Sequence, residues 1–126
     1  MEATAPVESH EWTLTKLALN DEAFIEKLTE SDAANLEASG LDPRTHALVR
    51  IGALLALDAA PASYASVVRL AERAGVSARE IVGVLIAVAP YIGIARTVSA
   101  APELALAVGF DVDDLIERDR DMPAPA

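Results

Sequence analysis

The feature that most constrains this chain is the run from Ile81 to Ile94, which follows Ser77-x-x-Glu80 and holds hardly a polar side chain. A serine followed three residues later by a glutamate is a capping box, so the run opens as a helix. The apolar residues then continue on every side of that helix instead of in one stripe, which predicts burial from most directions. At ~14 residues, with Pro90 inside, the run is too short to cross a bilayer, which needs roughly 20. It must therefore be packed by protein, and one small domain has few places to hide such a helix. Burial against a second copy of the chain is the economical expectation.

The rest of the sequence agrees with helices. Hydrophobic residues make up 52% of the 126 positions but aromatic ones only 4%, so Ala, Val, Leu and Ile must form the core. Asn-Gly and Asp-Gly hairpin turns are absent and no long alternation predicts a strand. The reading is an all-α, compact bundle of about six helices. The first covers 11–19 and is anchored by Trp12. The second runs from an N-cap at Asn20 to Ser39, where Gly40 ends it. The third opens at Asp42-Pro43, a cap followed by proline at the first helical position, and carries Leu48, Ile51, Leu54 and Leu55 to about Asp58. After Pro61 the fourth runs to Ala74 and stops at Gly75. The fifth is the apolar helix to Tyr91, and the sixth covers 93–108 with an interruption near Pro102. Asp111 caps a short last turn. In domain terms this gives a flexible arm at 1–10, a single helical domain at 11–117 and a frayed tail at 118–126.

Charge and composition exclude whole classes of function. The formal net charge is −10, so phosphate backbones repel the chain and nucleic acid is not an expected partner. An anionic membrane surface is disfavoured for the same reason. With no cysteine there is no disulfide, no zinc–thiolate site and no redox dyad. The acidic start, lacking an apolar signal core, makes the cytoplasm the default location. His10 and His46 share no ligand spacing, and Asp111, Asp113, Asp114 and Glu117 lack the glycine and periodicity of a calcium loop, so neither metal nor cofactor is expected.

Three segments, taken in order, carry a resemblance. Leu41-Asp-Pro-Arg-Thr-His-Ala-Leu-Val-Arg50 with Ile51-Gly-Ala-Leu-Leu-Ala-Leu57, then Ala74-Gly-Val-Ser-Ala-Arg-Glu-Ile-Val-Gly-Val-Leu-Ile86, then Ala89-Pro-Tyr-Ile-Gly-Ile-Ala-Arg96 resemble the carboxymuconolactone decarboxylase-like family over about residues 41–108. The resemblance implies an alkylhydroperoxidase D-like helical fold that assembles into trimers or hexamers. One branch of that family carries Cys-x-x-Cys-x-x-x-His, with the histidine eight residues before the glycine of the turn. Counting back from Gly75 puts that histidine at Val67 and the cysteines at Ser63 and Ala60. An acidic proton-relay position falls near Ala47. A peroxidatic site needs a thiolate and a resolving thiol, so thiol peroxidase chemistry is excluded. The decarboxylase branch keeps the histidine, and its loss at Val67 removes the obvious acid/base group.

What remains around those positions is polar but ordinary. Tyr64 and Arg69 could bind a ligand oxygen or a carboxylate, with Ser63 beside them, while the bland reading puts Tyr64 in the core and pairs Arg69 at the surface. Tyr91 is expected to pack in the core and His46 to be a surface imidazole, with substrate binding or acid/base work as the sharper alternative for each. Arg44 and Arg50 read as surface or interface charges. Two functions stay open. One is a non-catalytic oligomeric or partner-binding member. The other is an enzyme or binder of a small carboxylic acid or lactone that uses a re-purposed pocket.

Overall fold

The computed structural model describes residues 9–122. Every regular element among the described residues is a helix, as the scarcity of strand signals predicts. The chain groups into two compact units that divide between Leu41 and Asp42.

The first unit contains α1 (His10–Ala18), α2 (Glu22–Thr29) and α3 (Asp32–Ser39). Each starts on a side chain that accepts a hydrogen bond from a main-chain N–H otherwise left without a partner: Ser9 from Trp12, Asp21 from Phe24 and Ser31 from Ala34. The cap of α2 is thus Asp21 and not Asn20, which instead adopts the left-handed conformation at φ 54° and turns the chain out of α1. The single helix expected from 21 to 39 is two. Ser31, extended at φ −157° and ψ 163°, caps a new helix, and the Asn35 amide donates to the Leu28 carbonyl across the break at 2.8 Å. Trp12 packs edge-on against Phe24 with ring centroids 5.3 Å apart, and Lys16 lies over the indole while pairing with Asp21 at 3.3 Å. Those few contacts replace a core, since none of the three helices has a buried residue.

The second unit holds α4 (Pro43–Leu57), α5 (Pro61–Arg73), α6 (Ala78–Ile92), α7 (Ile94–Ala107) and α8 (Val112–Asp121). Here α4 packs against α5, α6 and α7; α7 also packs against α5 and α6 and is followed by α8. The local signals at the starts hold. Asp42 accepts from the Thr45 N–H at 2.8 Å with Pro43 at the first position, and the Ser77–Glu80 capping box is closed in both directions. Gly75, at φ +84°, makes the left-handed turn after α5 that L-residues resist. Arg44 and Glu80 form an ion pair between the first turns of α4 and α6.

Two expectations fail at the far end. The sixth helix is not interrupted at Pro102: α7 runs unbroken through it, and the break before it is Gly93 at φ 90°. Pro102 lies on an exposed side of α7, where the carbonyl it leaves without a donor can turn toward water. The last turn is a full helix, so 118–121, expected to fray, are helical. Residues 1–8 of the expected arm and 123–126 of the expected tail lie outside the described residues.

The core of this unit comes from one side of each of α4 to α7. Ile51 and Leu55 on α4, Tyr64, Val68 and Ala71 on α5, Ile81 on α6, and Ala100 and Leu104 on α7 are all at most 1% exposed. Burying the Ile, Leu and Val side chains among them contributes about 1.5–3 kcal/mol each, which is what holds these four helices together. The apolar helix α6, expected to be covered on most sides, buries only Ile81 and Leu85 within this unit.

Candidate functional site

The positions that resemblance marks as reactive sit at the start and middle of α5. Ala60 is the N-cap of α5, with no side chain to close the first turn, and it is exposed. Ser63 is half-buried one turn further on. Val67 is 5% exposed and belongs to the same core as Ala47, also 5%. Where an imidazole and an acid could have faced one another, two hydrocarbon side chains share a packed interior. That arrangement moves neither protons nor electrons.

Tyr64 is the largest fully buried side chain among the described residues, at 1% exposure. Its hydroxyl donates to the Leu54 carbonyl at 3.3 Å, and the same carbonyl accepts the Ala59 N–H at 3.1 Å. The phenol therefore ties the start of α5 to the end of α4, where Asp58 turns the chain in the left-handed conformation at φ 54°. Burial pushes its pKa above the usual tyrosine value, and the negative charges of Glu103 and Asp58 push the same way against the Ala59 N–H and Arg96. A neutral phenol whose proton is committed to a main-chain oxygen is a staple, not a donor waiting for a ligand.

The remaining candidates are spread apart. Arg69 is exposed on α5. Tyr91, expected in the core, is 91% exposed at the end of α6: it falls past the last buried position of that helix, two residues before the Gly93 turn. His46, expected at the surface, is 8% exposed. It lies one residue before Ala47 on the first turn of α4, where the helix already faces inward. His10 is exposed as the first residue of α1. Of the five candidates, Tyr64 and His46 are buried, Ser63 is half-buried, and Arg69 and Tyr91 are at the surface.

Sequence reasoning missed a polar corner beside Tyr64. Glu103 on α7 is half-buried, and its Oε2 is enclosed with no hydrogen-bond partner among the described residues. Arg96, two turns earlier on α7, approaches Asp58 at 4.0 Å. The signal was available: Arg96 and Glu103 are the charged residues of α7, and seven residues apart they share a side of it.

An open groove of about 620 Å³ lies elsewhere, lined by Val82 and Leu85 of α6, by α7 at Val98, Ala101 and Leu104, and by Phe110. Its lining side chains are apolar, and none of Ser63, Tyr64, Arg69, Tyr91 or His46 contributes to it. Among the described residues no group of three or more His, Cys, Asp or Glu side chains could hold a metal ion, and no helix is long and apolar enough to cross a membrane. The model of the Carboxymuconolactone decarboxylase family matches residues 22–106. No curated protein and no solved structure matches the chain.

Proposed function

We propose, for a chain that belongs to the carboxymuconolactone decarboxylase family, a role without turnover: a homo-oligomeric (trimeric or hexameric) or partner-binding member, of the cytoplasm. The observation that carries this reading is Val67. The position at which the resemblance expects the acid/base imidazole is an aliphatic side chain, 5% exposed in the core, flanked on α5 by a tyrosine whose hydroxyl serves the main chain. Self-association is supported by what one copy leaves uncovered. On α6 and α7, Ile86, Tyr91, Ile94 and Val98 are 69%, 91%, 84% and 65% exposed. Large apolar side chains left exposed to that degree mark interfaces where they gather into patches.

A second reading draws on one observation. The enclosed carboxylate oxygen of Glu103, in electrostatic reach of Tyr64, is the sort of group that an enzyme or binder of a small lactone or carboxylic acid would use as a relocated acid/base. A turnover assay separates the two. The purified chain is offered cumene hydroperoxide with dithiothreitol, and separately a small unsaturated lactone carboxylate, with wild type run beside Tyr64→Phe, Glu103→Gln and Arg69→Ala. The non-catalytic reading expects no rate above buffer in any of them. A wild-type rate on either substrate refutes it, and a rate on the lactone carboxylate abolished by Glu103→Gln or Arg69→Ala supports the alternative.

A further inference from the structure

The groove of about 620 Å³ has an apolar lining and an acidic end. Its lining on α7 runs from Val98 to Val108, about 15 Å at 1.5 Å per residue, and Phe110 closes the end that leads into α8. The charge of the chain is concentrated just beyond that residue. Residues 42–110 hold six arginines and five carboxylates, whereas Asp111, Asp113, Asp114 and Glu117 follow Phe110 before the next cation, Arg118. All four carboxylates are exposed. The carbonyl end of α7 lies at the same place, and its last turn carries no basic side chain, so its partial negative charge adds to theirs. Arg79, one turn before Val82 on α6, offsets a single one of these charges.

We infer that the groove receives a basic amphipathic helix of another protein, its apolar side chains seated between α6 and α7 and its lysines or arginines facing the acidic start of α8. This rests on the partner-binding reading above and names the partner's chemistry. The apolar lining calls for a helix. An extended segment would set its own N–H and C=O groups against side chains that offer them no partner, whereas a helix satisfies them internally and presents apolar anchors at i, i+3, i+4 and i+7. The charge calls for a basic one. A second copy, with twenty carboxylates against ten basic side chains, meets repulsion where a cationic helix meets attraction. Ile86, Tyr91 and Ile94 do not line the groove, so its occupation leaves them free for another contact.

The test uses a fluorescein-labelled, amidated peptide of leucine and lysine, about fourteen residues long, with its leucines at i, i+3, i+4 and i+7. The wild-type chain is titrated into it and fluorescence anisotropy gives Kd. A peptide of the same composition with the stripe scrambled, and one with glutamate in place of lysine, run beside it. The striped lysine peptide is expected to bind about ten-fold more tightly than either, with an affinity that falls as salt rises. Ala101→Trp fills the groove from an exposed position, and Asp113→Asn with Asp114→Asn neutralises its rim while leaving the Asp111 cap in place. Each is expected to weaken binding about ten-fold with the helical circular dichroism unchanged, whereas Val49→Ala, at an exposed site on α4, leaves it as it was. Equal binding of the scrambled peptide reduces the effect to charge, and equal binding of the glutamate peptide reduces it to apolar contact; either overturns the inference. If no peptide binds and Ala101→Trp instead lowers the mass of the native particle, a second copy fills the groove and the inference falls. The turnover assay above is independent of these titrations: a wild-type rate refutes the non-catalytic reading whatever the peptides do, and peptides that fail to bind leave that reading standing.

Discussion

Replacing Tyr64 by phenylalanine removes one atom from a buried side chain of the core, and the structure fixes what that should cost. The ring stays, so packing against the α4–α5 turn is kept and no cavity opens. The lost hydroxyl donates one hydrogen bond, to the Leu54 carbonyl at 3.3 Å. That carbonyl retains the Ala59 N–H at 3.1 Å and is not orphaned, so the penalty is that of an ordinary hydrogen bond, about 0.5–1.5 kcal/mol. For a chain of this size it corresponds to a fall in Tm of ~2–8 °C. Urea titration followed by circular dichroism at 222 nm measures it at pH 7.

The same substitution has a signature in pH. The folded-state pKa of Tyr64 is raised, so the folded form holds its phenolic proton more tightly than the unfolded chain does. The stabilisation is complete below the unfolded value, about 10, and is lost as pH rises toward the folded value. Wild type should therefore lose stability more steeply than Tyr64→Phe above that point. A loss exceeding ~3 kcal/mol at pH 7 would refute the staple and give the hydroxyl a larger network, because one satisfied neutral bond cannot supply it. An alkaline limb no steeper in wild type than in the variant would refute the electrostatic part.

Further tests address the fold. Leu55→Ala empties a fully buried site on α4 (0% exposed) and should cost about 2–5 kcal/mol in urea denaturation. Ser77→Ala breaks the capping box before α6, whose serine accepts the Glu80 N–H at 3.2 Å; the expected loss is about 0.5–2 kcal/mol, with the folded spectrum unchanged.

What could be read from the sequence follows the range of the interactions involved. Asp42-Pro43, Gly75 and Ser77-x-x-Glu80 act within one helical turn, and each ended or began a helix where expected. The break at Ser31 was missed because the apolar positions 24, 25, 28 and 36 look compatible with one helix, and the capping of Ala34 competes with continuation only weakly. The resemblance also located the family correctly, since order and spacing survive where single residues do not. His46, Tyr91 and Glu103 were misjudged or overlooked for the opposite reason. Whether a side chain at a helix end is enclosed depends on which neighbour arrives over it, and no periodicity within one helix contains that. For Glu103 the spacing from Arg96 shows that the two share a side of α7, but that this side lies near Tyr64 is set by α5.

If an assembly takes the place of a reactive centre, the mass of the native particle tests it most directly. Sedimentation equilibrium of the wild-type chain at micromolar concentration is expected to give three or six times the 13.2 kDa of one copy. A particle of 13.2 kDa would contradict it, leaving the exposed apolar side chains of α6 and α7 uncovered and the proposed function without its physical basis.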